Sequence, residues 1–182
     1  MSVFFRTLLL LLIYGLALSA GAKEAGLSEK QIKAAYLYKF SSYIEWPQTA
    51  FPEQDTPMTI GVLGADDLAD ELSDFVSHQT INGRAINVKT LKPGEVLAGL
   101  HILFVGQRQS EQLKTLLNSI QKQPILIVTE SPAALDFGSV INFVLVDEHI
   151  RFEISLERAD QNGLKISARL LSVAQKIEAR RS

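Results

Sequence analysis

Two rhythms of apolar residues alternate along the chain. From Met58 onward, short unbroken apolar runs give way repeatedly to stretches whose apolar residues recur every three or four positions. Thr59–Leu63 predicts a buried strand ending at Gly64. Asp66-Asp67 then open a helix with Leu68, Leu72, Phe75 and Val76 on its buried side. Asn82-Gly83 marks a turn before the strand-like Ala85–Leu91, which Pro93-Gly94 breaks. His101–Val105 ends at Gly106, and Ser110-Glu111 cap a helix carrying Leu113, Leu116, Leu117 and Ile120. Ile125–Val128 predicts another buried strand, stopped by Ser131-Pro132. Val140–Val146 and Ile150–Ile154 flank Asp147-Glu148-His149 and predict a hairpin.

Upstream, Ser28 and Gln31 have the spacing of a capping box. The helix they open carries Ile32, Ala35, Tyr36, Leu37, Tyr38, Phe40, Tyr43 and Ile44. It should stop near Glu45-Trp46-Pro47, because a residue before proline avoids helical dihedrals. Its apolar and aromatic residues wrap much of the circumference, so it is either well buried or shared with a partner, a homodimer included.

At the other end, Ile166, Leu170, Val173, Ala174 and Ile177 recur at helical spacing, with Lys165, Arg169, Ser172 and Lys176 on the opposite face. Two readings stand: one helix after Gly163, or Leu164–Ile166 extended with Ser167 as N-cap. The basic face is either a solvated surface or a partner contact. Near-continuous apolar strands separated by amphipathic helices require a sheet covered on both sides. The expected fold is α/β, a single three-layer domain. Its sheet is mixed and mostly parallel, with helices on both faces and a C-terminal hairpin plus helix.

Composition then narrows the setting. Arg6, the uncharged apolar run Leu8–Leu18 and Ala20-Gly21-Ala22 have the form of a secretory leader. Residues 1–22 are therefore expected to be cleaved, leaving 23–182 as one domain that starts at Lys23 and enters no membrane. The apolar run is shorter than the about 20 residues of a spanning helix. The 18 basic and 20 acidic residues give a net charge of −2, which argues against nucleic acid or a charged membrane surface as partner. There is no cysteine, which excludes lipidation at a lipoprotein-type Cys, thiol chemistry, zinc–thiolate sites and iron–sulfur clusters.

Catalytic groups do not converge in the sequence. His78, His101 and His149 are scattered, with no metal-ligand spacing to one another. There is no nucleophile elbow or P-loop, and Gly61-Val62-Leu63-Gly64 lacks the rest of a dinucleotide fingerprint. A binding module fits better. Ligands of open α/β sheets settle beyond the C-terminal ends of parallel strands, here Gly64, Gly106 and Thr129-Glu130-Ser131. Each of those glycines also reads simply as a tight turn, and Trp46, the only tryptophan, also reads as a core plug.

Three stretches, KAAYLYKFSSYIEWP, HILFVGQ with PILIVTES, and GSVINFVLVDEHIRFEISLERADQNGLKISARLLSVAQKI, resemble the YfiR-like family of small periplasmic proteins over nearly the whole mature chain. The resemblance implies a periplasmic regulator that represses an inner-membrane diguanylate cyclase by binding its periplasmic portion, lowering cyclic-di-GMP output. It implies a protein–protein mechanism, with no enzyme activity and no cofactor, and an outer-membrane lipoprotein as antagonist. Trp46, Lys165, Ser167 and Arg169 are then candidate partner contacts. Family members often carry Cys before the strand histidine; this chain has Leu100-His101, so redox control has no thiol to act on. The alternative is a small-molecule sensor or accessory domain for another membrane receptor or kinase, using the crevice at Gly64, Gly106 and Ser131. A hydrolase with dispersed catalytic residues is the weakest reading.

Overall fold

A computed structural model describes residues 26–120 and 122–179; the expected leader and cleavage point lie outside the described residues. The capping box at Ser28 forms, each partner's side chain accepting from the other's backbone N–H. It opens helix α1 (Glu29–Tyr43), which buries Ala34, Leu37 and Phe40. Tyr36 and Phe40 are directed inward: Phe40 meets Phe152 at 5.2 Å and Phe143 at 5.8 Å, and Tyr36 meets Phe152 at 5.4 Å. The chain turns extended at Ile44, giving the two-residue strand β1 (Ile44–Glu45) just before Trp46-Pro47.

There follow β2 (Met58–Leu63), α2 (Asp66–Val76), β3 (Thr80–Ile81), β4 (Arg84–Leu91) and β5 (Ile102–Val105). Next come α3 (Ser110–Ser119), β6 (Leu126–Thr129), α4 (Ala134–Phe137), β7 (Ile141–Val146) and β8 (His149–Ser155). The described chain finishes with α5 (Leu156–Gln161), β9 (Lys165–Ile166), α6 (Ala168–Leu171) and β10 (Lys176–Glu178). Eight strands form one sheet in the order β10-β8-β7-β6-β5-β2-β4-β3. Only β7–β8 and β3–β4 pair antiparallel in it. Both are hairpins whose two turn residues, Asp147-Glu148 and Asn82-Gly83, have positive φ, the geometry that matches strand twist. The mixed three-layer α/β arrangement is the one expected.

The strand order sets the layers. The crossover through α2 carries β2 to β4 in one direction, while α3 carries β5 to β6 in the other. Right-handed crossovers running in opposite directions place their helices on opposite faces. The order therefore reverses between β2 and β5, and the crevice beyond their C-terminal ends is a topological switch point.

Three expectations are corrected. The apolar stripe Ile166–Ile177 is not one helix: the second of its two readings holds at its start, with Lys165–Ile166 extended as β9 and Ser167 Oγ accepting from Leu170 N–H as N-cap, but α6 is only four residues long. The chain then re-extends as β10, parallel to β8. Val173 and Ile177 are 62% and 42% exposed, while Leu170 is buried. The cause is non-local, since the outer edge of β8 takes a strand in preference to local helix propensity. Phe75 is on the exposed side of α2, edge-on to Tyr38 at 5.6 Å. Ser110 caps nothing: a 3₁₀ turn, Gln107–Gln109, runs into α3 without a side-chain cap.

Candidate functional site

Two places bring the candidate residues together. The first is the crevice at the switch point. Leu63 and Val105 are register partners, and Gly106 N–H donates to Leu63 O at 2.8 Å. The two strand ends are so close that a Cβ on Gly106 would be 2.7 Å from the Gly64 carbonyl oxygen. Gly64 itself takes φ +74, the left-handed region, and lets the chain turn into α2. Gly64 thus lines an open crevice of about 470 Å³, walled by Ser28, Lys30, Lys33, Asp66, Arg108 and Glu130, while Gly106 packs against Gly64 without lining it. Ser131 is one residue further along, buried, and its hydroxyl meets no partner among the described residues; it does not line this crevice.

The centre of the wall is an ion cluster that the sequence did not reveal. Lys33, on the buried side of α1, donates to both Glu29 and Glu130. Glu130 Oε1 in turn accepts from Gln107 N–H at 2.9 Å. Burial by itself would lower the lysine's pKa, but the hydrogen bonds to Glu130 and Glu29 and their charges outweigh it, raising it above 10.5. Lys33 is therefore a fixed cation joining the first helix to the end of β6. The only sequence signal for it was a lysine four residues after Glu29 on a helix otherwise rich in apolar residues. With Glu29, Asp66, Asp67 and Glu130 facing Lys30, Lys33 and Arg108, the crevice is mixed in charge rather than an anion cradle.

The second place is a corner built by β1 and β9. These strands pair antiparallel, Ile44 with Ile166 and Glu45 with Lys165, and Ser167 N–H donates to Tyr43 O at 3.0 Å. Trp46, Lys165, Ser167 and Arg169, distant in sequence, are thereby collected near one ribbon. Their exposures differ. Lys165 and Arg169 are exposed, Ser167 caps α6, and Trp46 is half-buried with its indole N–H enclosed and facing no acceptor among the described residues. Trp46 meets Phe51 and His101 edge-on at 6.3 and 6.4 Å. Lys165 borders a mostly apolar groove of about 470 Å³ with Leu156, Leu164, Ile166 and Leu171. Lys165 and Arg169 do not line the switch-point crevice, whose cations are Lys30, Lys33 and Arg108.

His101 anchors the loop beneath Trp46. Its Nδ1 accepts from Thr59 N–H at 3.1 Å, so its Nε2 carries the proton and donates to Ala50 O at 2.9 Å. Burial pushes its pKa below 6.5; the Ala50 contact opposes that and the Arg84 charge adds to it. Phe51 stacks on the imidazole at 4.2 Å, and the Arg84 guanidinium lies 4.4 Å from the centre of the Phe51 ring. Arg84 also donates to the carbonyls of Glu53, Gln54 and Thr56. This histidine is a structural clasp, neutral and satisfied at both nitrogens. His78 and His149 are exposed on other elements. No group of three His, Asp or Glu side chains is placed to hold a metal among the described residues. No described helix is long and apolar enough to cross a membrane.

Comparison with solved structures finds the same fold at low identity. A crystal structure of an ABC domain in complex with L-Trp from Streptococcus pneumonia aligns with a TM-score of 0.57 at 13% identity, covering 82% of this chain and 60% of that one. A conserved domain protein from Vibrio cholerae O1 biovar El Tor aligns with a TM-score of 0.55 at 10% identity, covering 84% and 61%. The chain thus spans about three fifths of the length of each. Comparison with curated protein sequences gives no match. The profile of the YfiR/HmsC-like family matches residues 30–175. That match takes in every element from α1 to α6, so the chain belongs to the YfiR/HmsC-like family, whose members are periplasmic regulators of cyclic-di-GMP signalling.

Proposed function

We propose that this chain represses an inner-membrane diguanylate cyclase by binding its periplasmic portion, and that the β1–β9 corner is the contact surface. The observation that carries the reading is the exposed Lys165 beside the apolar groove of Leu156, Leu164, Ile166 and Leu171, with Arg169 on the adjoining α6. An apolar centre with a charged rim is the usual anatomy of a protein contact. Trp46 acts beneath this surface, holding the corner against Phe51 and His101, rather than as an exposed anchor. The regulator needs only to bind one conformation of the cyclase better than the other to shift its activity. It reaches the periplasm by a leader cleaved before Lys23, which N-terminal sequencing of the exported protein checks.

The experiment is capture of the cyclase by residues 23–182 from solubilised envelope, with cellular cyclic-di-GMP as second readout. Lys165→Glu with Arg169→Glu should abolish capture and raise cyclic-di-GMP without changing the melting temperature. Capture unaffected by this pair would move the contact elsewhere on the molecule. Capture of a receptor or kinase instead would change the target.

The switch-point crevice favours a second reading, a small-molecule sensor. The similar Streptococcus pneumonia structure holds L-Trp, which makes that amino acid the first probe to titrate calorimetrically. Heat that is lost on Lys33→Met would support this reading.

A further inference from the structure

We propose that the outer edge of β4, beyond the residues that β3 covers, docks an extended segment of a partner protein in which apolar and acidic residues alternate, the segment adding to the sheet as an antiparallel strand. β4 pairs with β2 from Ile86 to Leu91, but β3 pairs only with Arg84 and Ala85. From Ile86 onward β4 therefore has no strand on its outer side among the described residues, at the end of the sheet opposite β10. An unpaired strand edge is a template for another strand. No proline interrupts this one; Ile86 and Val88 are half-buried, and Asn87, Lys89 and Thr90 are exposed.

The direction of the free backbone groups follows from the register. His101 N–H donates to Thr59 O and Gly106 N–H to Leu63 O, which turns Thr59 and Leu63 toward β5. Backbone groups alternate sides along a strand, so Ile60 and Val62 face β4. In a parallel pair, a residue bonds to the two neighbours of its register partner. Ile60 has Val88 as partner and Val62 has Thr90, so their bonds go to Asn87, Lys89 and Leu91. The N–H and C=O of Val88 and Thr90 are left pointing away from the sheet, where an added strand would take them up.

The side chains decide what fits. Ile86 and Val88 share one face, packed against the core yet only half-buried, and apolar residues of an added strand would complete their cover. Asn87 and Lys89 are on the other face. Lys89 makes no ion pair among the described residues, and neither does Lys92 just past the strand. In an antiparallel pair Lys89 takes a non-hydrogen-bonded position, where opposed side chains come closest, so a carboxylate there is attracted and a cation repelled. A second copy on the same edge would bring Lys89 and Lys92 of both chains to one seam, and β4 has no acidic residue to offset them. Charge complementarity therefore favours a foreign acidic strand, docked by backbone pairing and selected by alternate side chains.

Fluorescence anisotropy tests this with a labelled peptide of alternating valine and glutamate, and one of valine and lysine for comparison, titrated with residues 23–182. Melting temperature and sedimentation are measured alongside. The glutamate peptide should bind about tenfold more tightly than the lysine peptide. Lys89→Glu should reverse that preference without changing the melting temperature. Val88→Pro removes an outward N–H at a sheet edge, where proline is tolerated, and should abolish binding by a folded chain. The charge reversal carries the test even if the proline variant fails to fold. No binding of the glutamate peptide up to about 1 mM would overturn the proposal. So would a preference that Lys89→Glu leaves unchanged. Loss of peptide binding on Lys165→Glu with Arg169→Glu would also overturn it, the peptide then occupying the β1–β9 corner. A chain that dimerises without peptide and turns monomeric on Val88→Pro would do the same, the edge then serving a second copy.

Discussion

Replacing Gly106 by alanine should be the most damaging single-methyl change at the crevice. The added Cβ would meet the Gly64 carbonyl oxygen at 2.7 Å and its carbon at 3.0 Å, both backbone atoms. Relief requires β2 and β5 to part by roughly 0.5–0.8 Å, since carbon contacts settle near 3.5 Å. Parting weakens the Gly106 N–H to Leu63 O bond, worth about 1 kcal/mol, on top of about 1–3 kcal/mol for overpacking. The φ of Gly106, −71, suits any residue, so the cost is purely steric. We expect a loss of about 3 kcal/mol, which for a domain of this size lowers the melting temperature by about 6–12 °C. Gly99→Ala is the control. It has open space but φ +77, so it should lose only about 1–2 kcal/mol through left-handed backbone strain. Calorimetry and urea denaturation of residues 23–182 decide the matter. If Gly106→Ala proves as stable as Gly99→Ala, the close approach of the strand ends is refuted.

Two further outcomes follow from the charged groups. Lys33→Met should destabilise by about 2–3 kcal/mol, because Glu130 is left as a half-buried unpaired carboxylate, and adding Glu130→Gln should recover most of it; a double variant whose loss is the sum of the Lys33→Met and Glu130→Gln losses would mean that the pair is uncoupled. Because Lys33 has a raised pKa, its contribution is in place below 10.5 and lost only as pH rises past the folded value, so this loss should be constant from pH 6 to 9. His101 behaves oppositely. Its folded pKa is depressed, so the unfolded chain takes up the proton first, and stability should decline as pH falls below about 6.5, by up to about 1.4 kcal/mol per pH unit until the folded histidine protonates. His101→Asn keeps an acceptor for Thr59 N–H and should flatten that decline in denaturation midpoints taken between pH 7.5 and 5; an unchanged slope would assign the decline to other groups.

What the sequence made legible was local. Thr59–Leu63, His101–Val105 and Ile125–Val128 are unbroken apolar runs ended by Gly64, Gly106 and Ser131, and such runs have few states other than buried strand. The strand ends could therefore be placed before any coordinates, and of the three residues named there Gly64 lines the crevice. Lys33 and Glu130 could not be paired, being 97 residues apart; only the strand order brings α1 over the end of β6. Past the Ser167 cap, which was legible, the C-terminal stripe misled for the same reason. Ile166, Leu170, Val173 and Ile177 satisfy a helical period, but the vacant edge of β8 decided the matter. Trp46 was readable as either plug or contact, and the placement of Phe51 and His101 against it makes it chiefly a plug.

The aromatic seam between α1 and the β7–β8 hairpin has a consequence for the order of events at birth. The ribosome delivers α1 about a hundred residues before its partners Phe143 and Phe152. Until they arrive, Tyr36 and Phe40 have nothing to close on, and a helix this short is marginal in water alone. The ribbon that ties β1 to β9 closes nearly the whole chain as one loop, so it also waits for the end. A chain wired in this way stays open while it is being made, the condition a polypeptide must be in to be threaded through a membrane pore.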